Sequence, residues 1–409
     1  MAGEYSAGEL QVPAWLNSEF FTGILKKSEN DPSIEIAGGY ELLPATKPGE
    51  NFSSVMYRTC IRYRSKCESD EQEINLIIKI PAVAEGFKKE VAKDNILFIK
   101  EIKMYSEILP AMVKVLNDAG EHLEVARLIH ASLQPHVVIV LQSLTPDGWT
   151  PGRVSVQSFE EALPTIRNIA NFHAASLYLH REIMDLSTNS VKELLVTGAG
   201  LTHFTNRFKE FCDAIEKWDG CESFVEKFKI LLRSIGQRLR DIYTPDLLTK
   251  GYNVLNHADF TWKNIMHKRN PDGRIEDSML IDYQACHWGS PAMDVYSLLD
   301  LIVDNRTKTT HRSRILHEYH THFATVLGKM GYLGRIPTLV DLQVELLRNG
   351  FIEVFHVAIF EKYKFIELTE TMMDNYDETN SDEPCFNNEE YRRIISGELP
   401  SLLYRGLLD

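Results

Sequence analysis

The chain has 409 residues, 44% hydrophobic and 25% charged, a composition typical of a globular protein large enough for two lobes or several domains. Its formal net charge of −14 argues against a nucleic-acid-binding protein, which would present a basic field. The six scattered cysteines, and the lack of a basic leader or a long apolar segment, favour a cytoplasmic protein without disulfides, structural zinc or a membrane span.

The first third of the chain, from about residue 35 to 145, has the alternation typical of strands. Segments 55–64 and 74–80 are separated by a polar turn and are predicted to pair as antiparallel strands. A third strand is predicted at 137–141. This part of the chain therefore predicts an antiparallel sheet.

A helix is predicted between residues 87 and 112, within this strand-rich part. Its apolar residues recur at 4-3-4 spacing along one stripe: Phe98, Ile102, Tyr105 and Leu109. The turn Thr145-Pro146-Asp147-Gly148 then marks the expected boundary between this part and the rest.

The remaining chain is predicted to be mainly helical. Helical periods occupy the segments 159–177, 205–243, 294–303, 311–332 and 338–366. The exception is a hairpin of two short strands around the turn Asn270-Pro271-Asp272-Gly273.

That hairpin lies within a group of residues suited to phosphoryl transfer. His257-Ala258-Asp259 is followed by Asn264, and beyond the hairpin by Ile281-Asp282. Phosphoryl transfer requires an Asp that accepts a hydroxyl proton, and an Asn and a second Asp that hold Mg²⁺. The spacing from Asp259 to Asn264 equals that of the H-R-D-x-x-x-x-N loop. The pattern therefore predicts a phosphotransferase.

A lysine at the end of an apolar strand adds a candidate for nucleotide binding. Lys79 lies among isoleucines in NLIIKIPA, and a buried ammonium group requires a partner for its charge. In the following helix Glu101 lies at the flank of the apolar stripe, whereas Glu107 projects to the opposite side. We therefore expect Glu101 to pair with Lys79.

These motifs resemble those of a known group of enzymes. HADFTWKN resembles the H-x-D-x-x-x-x-N loop of choline kinase-like and aminoglycoside phosphotransferase-like enzymes, and LIDYQ resembles their metal-binding motif. The resemblance is strongest to the insect ecdysteroid kinase-like family and spans roughly residues 35 to 370. It is carried also by the segments KIP, FIKEIKMYSEILP, NFHAAS and LHEYHTHFATVLGKMG.

The resemblance implies an α+β, two-lobed protein-kinase-like fold. Residues 1–144 would form a nucleotide-binding lobe with an antiparallel sheet and a regulatory-type helix, after an N-terminal extension of about 34 residues. Residues 145–409 would form a larger, mainly helical lobe. That lobe would carry the catalytic loop 257–264 and the metal motif 281–284.

The resemblance also implies roles for individual residues. Asp259 would be the catalytic base, and Asn264 and Asp282 would coordinate Mg²⁺ through hard oxygen ligands. His257 is expected to brace the loop by hydrogen bonding rather than to transfer protons. Asp294, near the start of a predicted helix, would support the catalytic loop.

The nucleotide site departs from the protein-kinase pattern, because no GxGxxG sequence stands between residues 43 and 55. The resemblance implies that Asn51, Ser53 and Ser54 supply donors to phosphate oxygens instead, while Lys79 holds the α and β phosphates. Gln142 follows the predicted hinge strand, where main-chain groups would hold adenine.

The sequence thus predicts an ATP- and Mg²⁺-dependent kinase for a small-molecule alcohol, by resemblance an ecdysteroid or a related steroid or xenobiotic, which suits detoxification. No obligate protein partner is evident. One alternative is a kinase for a cationic substrate, which the segment 367–390, with nine acidic residues and no Lys or Arg, would attract. Another is a pseudokinase that binds ligand without turnover. A protein kinase is disfavoured, because no D-F-G or A-P-E motif follows Asp282.

Overall fold

The structure, a computed structural model, describes residues 12–46, 54–66, 70–81, 95–152, 158–245, 251–365 and 383–409. These residues form two compact units. The first comprises the described residues of 12–108 and 125–149, and the second those of 109–124, 150–365 and 383–409. Within the described ranges, no helix combines the length and the apolar character needed to cross a bilayer.

The first unit is built on an antiparallel sheet of order β1-β3-β4-β6-β5, with β2 paired to β3. Its elements are α1 (Ser18–Ser28), β1 (Glu35–Ile36), β2 (Leu43–Pro44), β3 (Ser54–Arg64), β4 (Gln72–Pro81), α2 (Ile96–Lys103), a π-turn (Met104–Ile108), β5 (Leu128–Ser132), β6 (Val138–Gln142) and a 3₁₀ turn (Thr145–Asp147).

The central strand β4 shows why this sheet forms. Its alternate residues Ile74, Leu76, Ile78 and Ile80 are buried in one cluster with apolar side chains of α1, as a period of two requires. Lys79 lies between two of these residues and so points to the opposite face, where it too is buried. The sheet therefore holds a lysine in a protected position.

The second unit is mainly helical. The strand β7 (Trp149–Pro151) spans its boundary with the first unit in sequence, and the other elements are α3 (Leu109–Asp118), α4 (Phe159–Glu182), α5 (Lys192–Leu195), α6 (Gly198–Ile215), α7 (Glu222–Ile242), β8 (Val254–Asn256), a 3₁₀ turn (Trp262–Asn264), β9 (Ile265–Arg269), β10 (Ile275–Leu280), a 3₁₀ turn (Tyr283–Ala285), β11 (His287–Gly289), α8 (Ala292–Ser297), a π-turn (Leu298–Ile302), α9 (Asn305–Lys329), α10 (Leu339–Arg348), α11 (Phe351–Ile359), a 3₁₀ turn (Glu361–Lys364), α12 (Glu383–Phe386) and α13 (Glu389–Tyr404).

Two small sheets position the loops of this unit. Strands β10, β9 and β7 form one sheet, in which β9 and β10 are the predicted hairpin. Strands β8 and β11 form the other, with Asn256 opposite His287. The segment 257–264 therefore runs from the end of β8 to the start of β9, and both of its ends are fixed by strands.

An antiparallel sheet with a helix, together with a larger helical unit, confirms the predicted protein-kinase-like fold class. The assignment of residues 1–144 to nucleotide binding and of 145–409 to catalysis stays a prediction. Asn51, Ser53 and most of the acidic segment 367–390 lie outside the described residues.

Some predicted helices are shorter than expected. The segment 205–243 contains two helices, separated at Gly220, whose φ of +80° suits a residue without a side chain. The segment 338–366 is divided at residues 349–350. Phe98, Tyr105 and Leu109 of the predicted apolar stripe are buried, whereas Ile102 is only half-buried.

Gly152 provides a test of close packing next to β9. Its N–H donates to the Ile265 carbonyl oxygen at 2.8 Å, and a Cβ at this position would overlap the Trp262 carbonyl oxygen. We expect Gly152→Ala to lower the free energy of unfolding by about 1–3 kcal/mol, because backbone atoms must move. Urea denaturation measures this change.

Gly397, within α13, is the matched control. A Cβ there meets nothing within 4 Å, so Gly397→Ala should raise stability by about 0.5–1 kcal/mol through the better helix propensity of alanine. Equal effects of the two substitutions would contradict the close approach at Gly152.

Candidate active site

The loop that follows β8 takes its shape from a buried carboxylate on α8. Asp294 accepts the His257 N–H through Oδ2 at 2.6 Å and the Ala258 N–H through Oδ1 at 2.9 Å. Ala258 has a φ of +63°, a left-handed conformation that is unfavourable for alanine. The two hydrogen bonds that this carboxylate accepts hold the strained turn and so fix the direction of the backbone at Asp259.

Asp294 is itself held by α4 and α9. The His173 Nε2–H donates to Asp294 Oδ2 at 3.0 Å, and His173 Nδ1 lies 2.7 Å from the Tyr319 hydroxyl. The carboxylate can only accept, so the proton of the neutral imidazole is assigned to Nε2. The other ring nitrogen, Nδ1, then accepts a hydrogen bond from the Tyr319 hydroxyl. All three side chains are buried. A chain of hydrogen bonds thus connects two long helices to the loop.

His257 joins the loop to the chain that follows the hairpin. Its Nε2–H donates to the Ile281 carbonyl oxygen at 2.9 Å. Burial lowers the pKa of His257, and this effect outweighs the opposing charge of Asp294. A neutral, fully buried imidazole that donates to the residue before Asp282 acts as a brace between the two segments.

Asn264 is hydrogen-bonded to Asp259 and to the backbone of Ile281, the residue before Asp282. Its Nδ2 donates to Asp259 Oδ2 at 2.8 Å and to the Asp259 carbonyl oxygen at 2.9 Å. Its own carbonyl oxygen accepts the Ile281 N–H at 3.0 Å. The structure therefore brings together Asp259, Asn264 and the turn that carries Asp282.

Asp282 lies at a second left-handed position, with φ +66°. Gln284 Nε2 donates to Asp282 Oδ2 at 3.2 Å and so limits the rotation of the carboxylate. Because Asn264 uses its NH₂ group on Asp259, its Oδ1 is directed elsewhere. The amide oxygen of Asn264 and the carboxylate of Asp282 are hard oxygen donors of the kind that Mg²⁺ prefers.

Within the first unit, Lys79 and Glu101 form a buried ion pair. Nζ lies 2.7 Å from Oε2, and the residues are 4% and 2% exposed. Truncating either partner would leave a buried, uncompensated charge. The geometry fixes the lysine ammonium on one face of the sheet.

The other predicted nucleotide-binding residues differ in what the structure shows. Ser54 is the first residue of β3, lies opposite Pro81 and is buried. Gln142 ends β6, and its N–H already donates to the Arg127 carbonyl oxygen at 2.9 Å. That N–H is therefore not available to an adenine ring. Asn51 and Ser53 fall outside the described residues.

Comparison with protein families gives one match that covers most of the chain. The model of the ecdysteroid kinase-like family matches residues 48–332. The chain belongs to the ecdysteroid kinase-like family. It is accordingly a small-molecule phosphotransferase of the kinase-like superfamily.

Solved structures similar to this ecdysteroid kinase-like protein are distant from it. The GDP complex of wild-type aminoglycoside 2'-phosphotransferase-IIIa has 12% sequence identity and a TM-score of 0.36, with 94% of this chain and 99% of that chain covered. The Plasmodium vivax ethanolamine kinase has 11% identity and a TM-score of 0.36, with coverage of 98% and 99%. Similarity of this extent says nothing about ligand or activity. None of the curated proteins matches the chain in sequence.

Sequence reasoning did not assign two residues that organise the site of this ecdysteroid kinase-like protein. Asn256 donates from Nδ2 to the carbonyl oxygens of His287 and Gly289, and so closes the β8–β11 pair immediately before the loop. Gln284 restrains Asp282. Gln284 belongs to the LIDYQ motif, so the resemblance of that motif could have identified it. Asn256 belongs to no motif that would have identified it from the sequence.

Proposed function

We propose that this protein transfers the γ-phosphate of ATP to a hydroxyl group of a small molecule, in a Mg²⁺-dependent reaction. The acceptor class is an ecdysteroid or a related steroid or xenobiotic alcohol, and the setting is cytoplasmic detoxification. The five described cysteines are thiols and not members of disulfides, which suits a reducing compartment.

The observation that best supports this proposal is the hydrogen-bonded group of Asp259, Asn264 and the Ile281-Asp282 turn. In the proposed reaction Asp259 orients the acceptor hydroxyl and takes its proton as the oxygen attacks the γ-phosphorus. Asn264 donates to Asp259 Oδ2 and so fixes the orientation of this carboxylate. Asp294 and His257 hold the loop and do not contact the substrate.

The donor set near Asp259 suits Mg²⁺. The amide oxygen of Asn264 and the carboxylate of Asp282 would hold the ion, since Mg²⁺ prefers hard oxygen ligands and retains phosphate oxygens and waters in its remaining positions. The described residues contain no group of three or more His, Cys, Asp or Glu side chains able to hold a metal by themselves. This suits an ion that arrives with the nucleotide. When bound, it would neutralise charge on the phosphate oxygens.

The acceptor class is tested by incubating the purified protein with ATP, Mg²⁺ and a mixed panel of ecdysteroids, amino alcohols, and plant phenols or glycosides. A mass gain of one phosphate on a neutral alcohol is the expected result. Product only on amino alcohols would replace the proposed acceptor by a cationic one. Nucleotide binding without product on any compound would overturn the proposal in favour of a binding protein.

Lys79 is proposed to hold the α and β phosphates, with Glu101 fixing its position through the 2.7 Å ion pair. We expect Lys79→Met to weaken ATP binding about 10- to 100-fold, because a charge-assisted hydrogen bond is lost. Calorimetric titration with ATP measures this effect.

Lys114→Met is the control, because Lys114 is an exposed lysine paired only with Asp118 in the following turn. It should bind ATP as the unmodified protein does. A Lys79→Met protein that melts normally and still binds ATP with unchanged affinity would remove Lys79 from the proposed site.

A further inference from the structure

Tyr319, which belongs to the segment LHEYHTHFATVLGKMG, lies at the far end of the hydrogen-bond chain that leads to the catalytic loop. Its hydroxyl lies 2.7 Å from His173 Nδ1, and the two rings meet edge to face with centroids 5.8 Å apart. The Tyr319 ring also stacks on Phe323, with centroids 6.1 Å apart. Tyr319 is fully buried, so its side chain is held in place and does not meet solvent.

The backbone of α4 at His173 is held against β8. The Ser176 hydroxyl donates to the His173 carbonyl oxygen at 2.7 Å and accepts the Leu255 N–H at 2.9 Å. Leu255 precedes His257, the first residue of the loop, by two positions. The imidazole of His173 is therefore fixed beside the start of the loop, and what remains to be set is which ring nitrogen carries the proton.

The position of that proton decides whether His173 attracts or repels Asp294. With the proton on Nε2, the ring donates to Asp294 Oδ2 over 3.0 Å, whereas with the proton on Nδ1 a nitrogen lone pair would face a carboxylate oxygen. The partner of one ring nitrogen influences the proton on the other. Burial raises the pKa of Tyr319 well above its usual value. The phenol therefore keeps its proton and can donate it to Nδ1, which favours the same tautomer as Asp294 does.

We infer that Tyr319 is a positioning residue for phosphoryl transfer. Its hydroxyl donates to His173 Nδ1 and so keeps the Nε2–H group on Asp294. Asp294 in turn holds the strained turn that precedes Asp259. This inference rests on the proposed function. Tyr319 exchanges no proton in the reaction and acts only on the direction of the loop, so it affects the chemical step and not the binding of either substrate.

The first test is Tyr319→Phe, which keeps the ring and removes only the hydroxyl. We expect kcat on an acceptor identified by mass to fall about 3- to 10-fold, the effect of one hydrogen bond, with unchanged KM for the acceptor and unchanged affinity for ATP. His173→Gln supplies the background that separates this role from a structural one. Glutamine can donate to Asp294 from its amide and has no choice of tautomer. In that background Tyr319→Phe should have no further effect on kcat.

Tyr391→Phe is the control, because Tyr391 is also fully buried and its hydroxyl donates to the Val357 carbonyl oxygen at 3.4 Å. It should have the kcat of the unmodified protein. An unchanged kcat in Tyr319→Phe, or the same loss with His173 and with Gln at position 173, would overturn the role of Tyr319 and leave the proposed function intact. Absence of phosphorylation of every alcohol by the wild-type protein would overturn both.

A second measurement needs neither an acceptor nor activity. Nitrogen-15 NMR of the imidazole rings, with His173→Gln identifying the resonances of His173, should show the proton on Nε2 and none on Nδ1. A proton on Nδ1 overturns the inference. If Tyr319→Phe does not fold, two variants of His173 decide. His173→Gln should keep kcat within about threefold of the wild-type value, whereas His173→Leu, which cannot donate to Asp294, should lower it about 10- to 100-fold. Equal kcat values for these two variants would contradict the inference.

Discussion

Replacing Asp259 by Asn is expected to lower kcat about 10²- to 10⁴-fold and to leave ATP affinity nearly unchanged. The amide has the same shape and can still accept the hydrogen bond from Asn264 Nδ2, which is 2.8 Å long in the native protein. It cannot take a proton from the acceptor hydroxyl, and general-base catalysis is of that magnitude. Steady-state kinetics on an acceptor identified by mass, together with calorimetric titration of ATP, measure the two effects separately.

Asp272→Asn is the matched control, since Asp272 is an exposed residue of the hairpin turn between β9 and β10. It should have wild-type kcat. Product formed by Asp259→Asn at a rate close to that of the control would show that another group accepts the proton, and the proposed mechanism would be wrong.

Replacing Lys308 by Met is expected to lower the free energy of unfolding by about 3–5 kcal/mol, the usual cost of removing one partner from a buried ionic group. Lys308 is 5% exposed, and its Nζ lies 3.0 Å from Asp300, 2.8 Å from Glu361 and 3.0 Å from Glu398. Methionine fills similar volume but leaves three carboxylates without their cation. Urea denaturation at neutral pH measures the loss.

The titration behaviour of this group explains the size of the effect. Burial favours a neutral amine at Lys308, but the charges of Asp300 and Glu361 outweigh burial and hold its pKa well above the usual value. Burial, and then the charge of Glu398, raise the pKa of Glu361 to about 7. Lys308 thus lies among three carboxylates, with Lys364 as a further positive charge acting on Glu361, and its loss removes the cation that contacts all three.

Lys114→Met is again the control, because its pair with Asp118 is exposed and should contribute no more than about 0.5 kcal/mol. Adding Glu361→Gln and Glu398→Gln to Lys308→Met should recover part of the lost stability. If Lys308→Met is no less stable than the control, the charges are not buried together as the structure has them.

What the sequence predicts well is local. The alternation of Ile74, Leu76 and Ile78 predicts the buried face of a single strand without reference to any other element. The buried face of β4 confirms this prediction. The pairing of Lys79 with Glu101 depends on one strand and one helix, and on which side of that helix a residue lies. Periodicity carries this information because side-chain direction follows from backbone geometry.

What the sequence does not predict depends on residues far apart in the chain. His173 and Asp294 are separated by 121 positions, and Lys308 and Glu398 by 90, yet each pair shares a hydrogen bond. The hydrophobic periodicity of a helix or strand gives no information about contacts between residues so far apart in the sequence.

The hydrogen bonds that the backbone N–H groups of His257 and Ala258 donate to Asp294 make the shape of the 257–264 loop depend on α8. These contacts span 37 and 36 positions, and the left-handed turn at Ala258 is unfavourable without them. The loop therefore holds its shape only while α8 is docked, and its two amide protons are expected to be protected from exchange for as long as that helix stays in place. The shape of this loop therefore depends on tertiary structure, and a substitution that loosens α8 is expected to disturb the loop as well.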